Sequence, residues 1–289
     1  MMRKILAMSL VVVIALSFIA CGGEEQPTAQ EIVDGTIQAL ENIRTYEFEM
    51  DLTMDIASKS EGETLEANIG MEYSGALDLD NRQLGMEVTA SVAVPGEDEE
   101  EMKMEAYLID GIGYAMTYTL ETGPVWEKEE FSETEWEETW EETTETLSLT
   151  EPQIELLKTA EFEVIGSEQV KGVDCYVLRL TPDIKQLWDT IMQQATPGFG
   201  GDLGLPDFTE ENLAAASCSF SVKQWVAKDT YFVMKAEIDM EIEITAAAMG
   251  FPEEEGKASI DTAINMLTYN YNLPVSIELP PEAEEAIEY

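Results

Sequence analysis

The residues of this chain best suited to covalent chemistry are its three cysteines, Cys21, Cys175 and Cys218. The sequence contains no histidine, which excludes Ser-His-Asp and Cys-His catalysis and zinc sites that depend on imidazole. Cys175 and Cys218 both stand in apolar, strand-like contexts. Two interpretations of this pair stay open: a disulfide between them, or two small buried side chains.

Cys21 closes the most distinctive segment of the sequence. Arg3 and Lys4 form a short basic region, and residues 5–19 are an apolar run interrupted only by two serines. This run is shorter than the roughly 20 residues that cross a bilayer. A basic start followed by a short apolar run is typical of a signal peptide.

The end of that run, Phe18-Ile19-Ala20-Cys21, resembles a bacterial or archaeal lipobox. The resemblance implies that residues 1–20 are a lipoprotein signal peptide and that the thiol of Cys21 is acylated, for example with palmitate. Residues 21–27 are then a lipidated tether, and the protein is extracytoplasmic, anchored to the cell membrane or the outer membrane. The alternative is an uncleaved anchor helix with an incidental cysteine.

Carboxylates dominate the charged side chains: 60 Asp and Glu stand against 15 Lys and Arg, giving a net charge of −45. Nucleic acid is excluded as a partner because the chain lacks a basic surface. Asp78 begins a calcium-like acidic stretch, but Arg82 stands where an EF-hand needs a ligand. No spacing singles out a catalytic carboxylate pair. We therefore expect no metal or cofactor, and an enzyme is the class with the least support.

Most of the chain alternates apolar and polar residues, which predicts half-buried strands with one wet face. Residues 46–56 and 234–244 are the longest examples. Thr28 to Glu31 has capping-box spacing and predicts the start of a helix. Residues 126–147 contain ten glutamates, with Trp136 and Trp140 at helical spacing, and residues 184–195 form another amphipathic pattern. One antiparallel sheet with helices against it is the predicted α+β fold.

Five segments, in this order, resemble the LolA-like lipoprotein carriers and the LppX/LprG-like lipid-binding lipoproteins. They are Thr36–Phe48, Ile109–Tyr114 running on to Trp126, Val170–Pro182, Trp225–Tyr231 and Tyr269–Val275. The resemblance implies that residues 28–289 form one lipid-binding domain: a single curved antiparallel half-barrel, here of about 10–11 strands, with helices covering its concave face. The Glu- and Trp-rich helical insertion at 126–147 departs from the family pattern.

Methionines are unusually frequent in the strand patterns. Because methionine is flexible, a methionine-lined hollow accepts chains of varied shape; the alternative is that these side chains simply pack against the helices. Trp136 and Trp140 belong either to a mobile lid or to an ordinary docked helix, and Trp188 has the same two interpretations. The predicted ligand-contacting residues are Phe48, Met50, Leu52, Met54, Met71, Met86, Met104, Met116, Trp136, Trp140, Trp188, Met234, Ile238 and Met240.

The sequence thus predicts a monomeric, membrane-anchored lipoprotein that binds or shuttles a lipid or another hydrophobic ligand in an apolar cavity. The alternative is an envelope surface lipoprotein with a filled core, which presents its acidic surface to a partner. An apolar cavity of roughly 300–1,000 Å³, the size typical of ligand sites, distinguishes the two.

Overall fold

A computed structural model of the protein describes residues 26–60, 63–96, 98–119, 123–147, 158–181, 217–245 and 256–288. Cys21 and the predicted signal peptide lie outside these residues, as do Trp188 and the helix predicted around it. Within the described ranges, no helix is both long enough and apolar enough to cross a membrane.

Twelve strands form one open sheet in the described part of the chain. They are β1 (Thr45–Ser60), β2 (Glu63–Asp78), β3 (Gln83–Ala93), β4 (Glu100–Ile109), β5 (Ile112–Thr119), β6 (Gly123–Glu130), β7 (Glu161–Val170), β8 (Val173–Thr181), β9 (Ser217–Ala227), β10 (Val233–Thr245), β11 (Lys257–Tyr269) and β12 (Ile287–Glu288). Their order across the sheet is β12-β6-β5-β4-β3-β2-β1-β11-β10-β9-β8-β7. All neighbours are antiparallel except the short β12, which lies parallel to β6. The predicted α+β fold with one antiparallel half-barrel sheet is confirmed, and β6 and β12 raise the number of strands above the prediction.

Tight hairpins fix the register of neighbouring strands. Asp110 and Gly111 join β4 to β5 with φ angles of 52° and 83°, the two positive values of a type I′ turn. Lys171 and Gly172 join β7 to β8 in the same way, with φ angles of 46° and 86°. Such turns match the right-handed twist of the strands they connect, so each two-residue loop determines which side chains stand opposite one another.

The first helix, α1 (Ala29–Leu40), begins as the sequence predicts. The backbone N–H of Thr28 donates to the Glu31 carboxylate at 2.8 Å, and the N–H of Glu31 donates to the Thr28 hydroxyl at 3.2 Å. These reciprocal bonds form the expected capping box. Ile32 is fully buried and packs against Leu178 of β8, so α1 lies on the sheet near β7 to β9.

The Glu- and Trp-rich segment is only partly helical, which corrects the prediction for residues 126–147. Trp126 lies in β6, directly opposite Met116 of β5, and the helix α2 spans Glu133–Leu147. Strand pairing with β5 overrides the helical preference of the glutamates. The backbone N–H of Ser132 donates to the Glu135 carboxylate at 2.8 Å, and the N–H of Glu135 donates to the Ser132 hydroxyl at 3.4 Å. Ser132-x-x-Glu135 is thus a capping-box signal that marks where α2 begins.

The two faces of the sheet differ sharply in polarity. Residues directly opposite each other on neighbouring strands point to the same side. One row, which defines the apolar face, runs from β10 to β4 through Ile238, Ile264, Leu52, Met71, Ala90 and Met102. The adjacent row on the other side, the polar face, runs through Glu237, Asn265, Asp51, Glu72, Thr89 and Lys103. Both α1 and α2 pack on the apolar face.

Candidate functional site

Most of the predicted ligand-contacting strand residues share the apolar face. The register places Phe48, Met50, Leu52, Met54, Met71, Met86, Met104, Ile238 and Met240 there. Most of these side chains are half-buried, and Met104 is 36% exposed. The alternation of apolar and polar residues therefore places this set on one face of the sheet, spread over the strands from β4 to β10.

Met116 and Met234 lie instead on the polar face, which corrects their assignment to the same hollow. Ala106 of β4 lies on the apolar face, and in the β4–β5 hairpin it is Ala115, and not Met116, that stands opposite it. A register shift in β10 between Val233 and Lys235 turns Met234 into a buried cluster with Trp225. Both exceptions come from pairing geometry, since a change of one position sends a side chain to the other face.

The two described cysteines are free thiols, so the possible disulfide between them is absent. Cys175 stands opposite Ala227 at one end of β9, whereas Cys218 lies nine residues earlier on that strand. At about 3.3 Å per residue they are roughly 30 Å apart, far beyond the separation of about 7 Å that a disulfide spans. Burial raises the pKa of both thiols, which disfavours the reactive thiolate.

A groove of about 770 Å³ lies on the apolar face between α2 and strands β3 to β6. Two rows of directly opposed residues form its floor: Met86, Ala106, Ala115 and Glu127 in one, and Leu84, Leu108, Gly113 and Glu129 in the other. Alanine and glycine stand in the middle of the floor. These small side chains leave the space that larger ones would fill.

The aromatic residues around α2 hold this helix on the sheet. Trp140 is only 8% exposed and packs against Leu77 and Leu84, while Trp136 is partly buried beside it. Their ring centroids are 6.1 Å apart, and Phe131 lies 6.1 Å from Trp136 on the other side. These contacts dock α2 on the sheet.

Gly113 and Phe131 close one end of the groove together. A Cβ atom added at Gly113 would lie 3.0 Å from the Phe131 ring. That contact is tighter than most side chains tolerate, so the absence of a side chain at Gly113 is what allows Phe131 to sit over the floor. The wall opposite β6 is formed by residues of α2, namely Thr139, Glu142 and Thr143.

Carboxylates occupy the β6 side of the groove. Glu127 and Glu129 are exposed and line it. Neither forms an ion pair with another described residue. Arg82, in the turn after β2, pairs instead with Glu137 of α2 and ties the helix to the sheet. Across the described ranges, no group of three Asp, Glu or Cys side chains is placed to hold a metal ion.

A second hollow, of about 450 Å³, lies on the polar face and differs in chemistry. Its Lys171 pairs with Glu49 at 3.3 Å and lies 3.5 Å from the centre of the Tyr269 ring. The Tyr269 hydroxyl donates to Glu49 at 2.8 Å and lowers the pKa of this carboxyl. Lys235 similarly lies over the ring of Trp225, at 4.5 Å. Three carboxylates and two lysines line this hollow, so it offers no open apolar site.

The fold and the groove define the class of this protein: an α+β protein whose described strands form one open, mainly antiparallel sheet, with an apolar groove between this sheet and a helix. The chain belongs to DUF6612, a family of unknown function, whose model matches residues 28–288. A comparison with curated proteins found no match.

Several solved structures are similar to this chain. Lipoprotein LppX from Mycobacterium tuberculosis is 9% identical, the match covers 86% of this chain and 98% of LppX, and the TM-score is 0.36. A LolA superfamily protein from Nitrosomonas europaea is 11% identical over 89% of this chain and 96% of its own, with a TM-score of 0.22. A DUF1329 family protein from Desulfovibrio piger is 13% identical, and the match covers 88% of this chain and 96% of that protein, with a TM-score of 0.23. LppX and the LolA superfamily are the groups that the five sequence segments resemble.

Proposed function

We propose that this protein is an extracytoplasmic lipoprotein that binds or shuttles a lipid or another hydrophobic molecule. The observation that carries the proposal is the groove of about 770 Å³ on the apolar face, which is within the size range of small-molecule sites. Its floor consists mainly of apolar side chains from β3, β4 and β5. A filled core, as the surface-protein alternative requires, would leave no such space beneath α2.

Binding in this groove needs no catalytic group. Each methylene that leaves water contributes about 0.8 kcal/mol, so a chain of about twelve carbons gains on the order of 10 kcal/mol if fully buried. That gain offsets the loss of rotational and translational freedom on association, which costs at least about 4 kcal/mol. The mechanism is passive: the groove shields the chain from water, and opening of α2 sets the rate of exchange.

The apolar face continues beyond the groove and extends the proposed site. From β2 to β10 it presents partly buried methionines, among them Met71, Met50 and Met240. A flexible side chain adapts to ligands of different shape at little cost. We therefore assign these methionines to the part of a long acyl chain that projects past the groove.

The lipid anchor is a second part of the proposal. An acylated Cys21 holds the domain at a membrane surface, and residues 22–27 are the tether. A protein with a net charge of −45 is repelled by anionic headgroups, so electrostatics alone does not keep it there. A covalent lipid supplies the membrane affinity that the charged surface lacks.

The proposal is tested by mass spectrometry of the lipids that copurify with the mature chain, residues 21–289, secreted with Cys21→Ala to remove the acceptor thiol. Ala115→Trp fills the groove floor, and Ala263→Trp is the matched control on the polar face, where Ala263 pairs with Thr53. A lipid bound by the parent chain and by the control, but lost from Ala115→Trp, supports the proposal. An extract free of lipid from the parent chain contradicts it.

A further inference from the structure

The charges along the groove identify the kind of headgroup that its ligand carries. We infer that the groove selects amphiphiles with a cationic head, such as alkylammonium compounds, over those with an anionic head. This inference rests on the proposed function, since it assumes that an apolar chain lies on the groove floor. It adds the chemical class of the group at the end of that chain.

The register places two carboxylates on the same face as the apolar floor. Glu127 stands directly opposite Ala115, and Glu129 stands directly opposite Gly113. Directly opposed residues of an antiparallel pair project to the same side of the sheet. The two floor rows therefore begin at apolar Met86 and Leu84 on β3 and end at carboxylates on β6.

The helix adds a third carboxylate from the other wall. Glu142 of α2 lines the groove between the hydroxyl-bearing Thr139 and Thr143. Lys128 also contributes atoms to the lining, but it stands opposite Tyr114, and alternation along β6 directs its side chain to the polar face. The groove thus combines an apolar floor with two carboxylates, Glu127 and Glu129, on its β6 side, and the inference rests on these two.

This arrangement favours one sign of headgroup. An ammonium group beside Glu127 and Glu129 gains two attractive interactions at a partly exposed site, while a carboxylate at the same place meets repulsion from both. Exposed ion pairs contribute modestly, so we expect the local preference to be roughly threefold to tenfold. The whole chain is acidic and attracts any cation at long range, so the test must separate the local effect from that of the total charge.

The experiment compares dodecylammonium with tridecanoate, which carry the same twelve apolar carbons, by isothermal titration calorimetry, below their micelle concentrations and at physiological salt. The parent protein is the mature chain with Cys21→Ala. Two double variants of this parent are measured beside it. Glu127→Gln with Glu129→Gln removes the groove carboxylates. Asp239→Asn with Glu241→Gln removes the same number of charges from the polar face of β10, opposite Ala263 and Asp261, and leaves the groove unchanged.

The expected result is that dodecylammonium binds more tightly than tridecanoate. The groove variant should lower this preference about threefold to tenfold, whereas the polar-face control keeps it. Equal affinities in the parent chain, or an equal change of preference in both variants, overturns the inference and leaves the proposed function standing. Failure of either amphiphile to bind the parent chain contradicts the proposed function itself.

Discussion

Trp140→Ala is expected to release α2 from the sheet while most of the sheet stays folded. Trp140 is 8% exposed and contacts Leu77 and Leu84. A buried tryptophan removes roughly 200 Å² from water, which at about 25 cal/mol per Å² is about 5 kcal/mol. Alanine retains part of that burial, so the loss is about 3–5 kcal/mol.

The sequence of α2 makes this loss local. The helix has seven glutamates and no lysine or arginine in its 15 residues. Glutamates four residues apart, such as Glu137 and Glu141, destabilise a helix by about 0.2–0.5 kcal/mol per pair, and a helix of this length is marginal in isolation. Packing of the tryptophans is therefore what keeps α2 folded, and without Trp140 the helix opens before the sheet does.

Hydrogen exchange of the α2 amides, resolved by mass spectrometry, measures this opening. Faster exchange confined to residues 133–147, with unchanged protection in β1 and β11, is the expected result. Added salt should restore part of the protection because it screens the glutamate repulsion. Trp126→Ala is the control, since Trp126 lies on the polar face beside Tyr107. Native exchange of α2 in Trp140→Ala would refute the reasoning.

Three further predictions address the groove, a buried phenol and the thiols. Gly113→Ala places a Cβ atom 3.0 Å from the Phe131 ring. The strain of about 1–3 kcal/mol is partly offset by the roughly 0.5–1 kcal/mol gained when a glycine within a strand is replaced, so urea titrations should show a net loss of about 0.5–2 kcal/mol; a gain in stability would contradict the contact. Burial raises the pKa of Tyr46 to about 12. Burial of the neutral Tyr46 phenol therefore contributes its full stabilisation below about pH 10, the pKa of an unfolded tyrosine. This stabilisation is lost as the pH rises through about 12. In denaturant titrations over this pH range, Tyr46→Phe should reduce the alkaline loss of stability. Without a reducing agent, the unfolded mature chain with Cys21→Ala should take up two alkyl labels, at Cys175 and Cys218; a chain that takes up none would indicate a disulfide.

Local patterns predict the elements of this fold well. The alternation in residues 46–56 lies within β1, and the spacing of Thr28 and Glu31 marks the first turn of α1. Both signals depend on residues that are close in the chain: a strand exposes alternate side chains to water, and a helix cap bonds groups three residues apart. Residues 1–21 can be interpreted for the same reason, because a signal peptide is also recognised from a local pattern. The lipidation of Cys21 stays a prediction.

The sequence by itself determined that one side of the sheet is apolar, because a period of two sorts side chains whatever the strands pair with. Only the tertiary structure decided which residues meet there. A hairpin turn brings Ala115 rather than Met116 to that side, and a register shift turns Met234 away from it. The groove exists because strand pairing sets Ala106 of β4 opposite Ala115 of β5 and leaves Gly113 of β5 opposite Leu108, so that small residues lie together beneath α2. Pairing between strands is a non-local choice, so the space it leaves is a property of the assembled sheet.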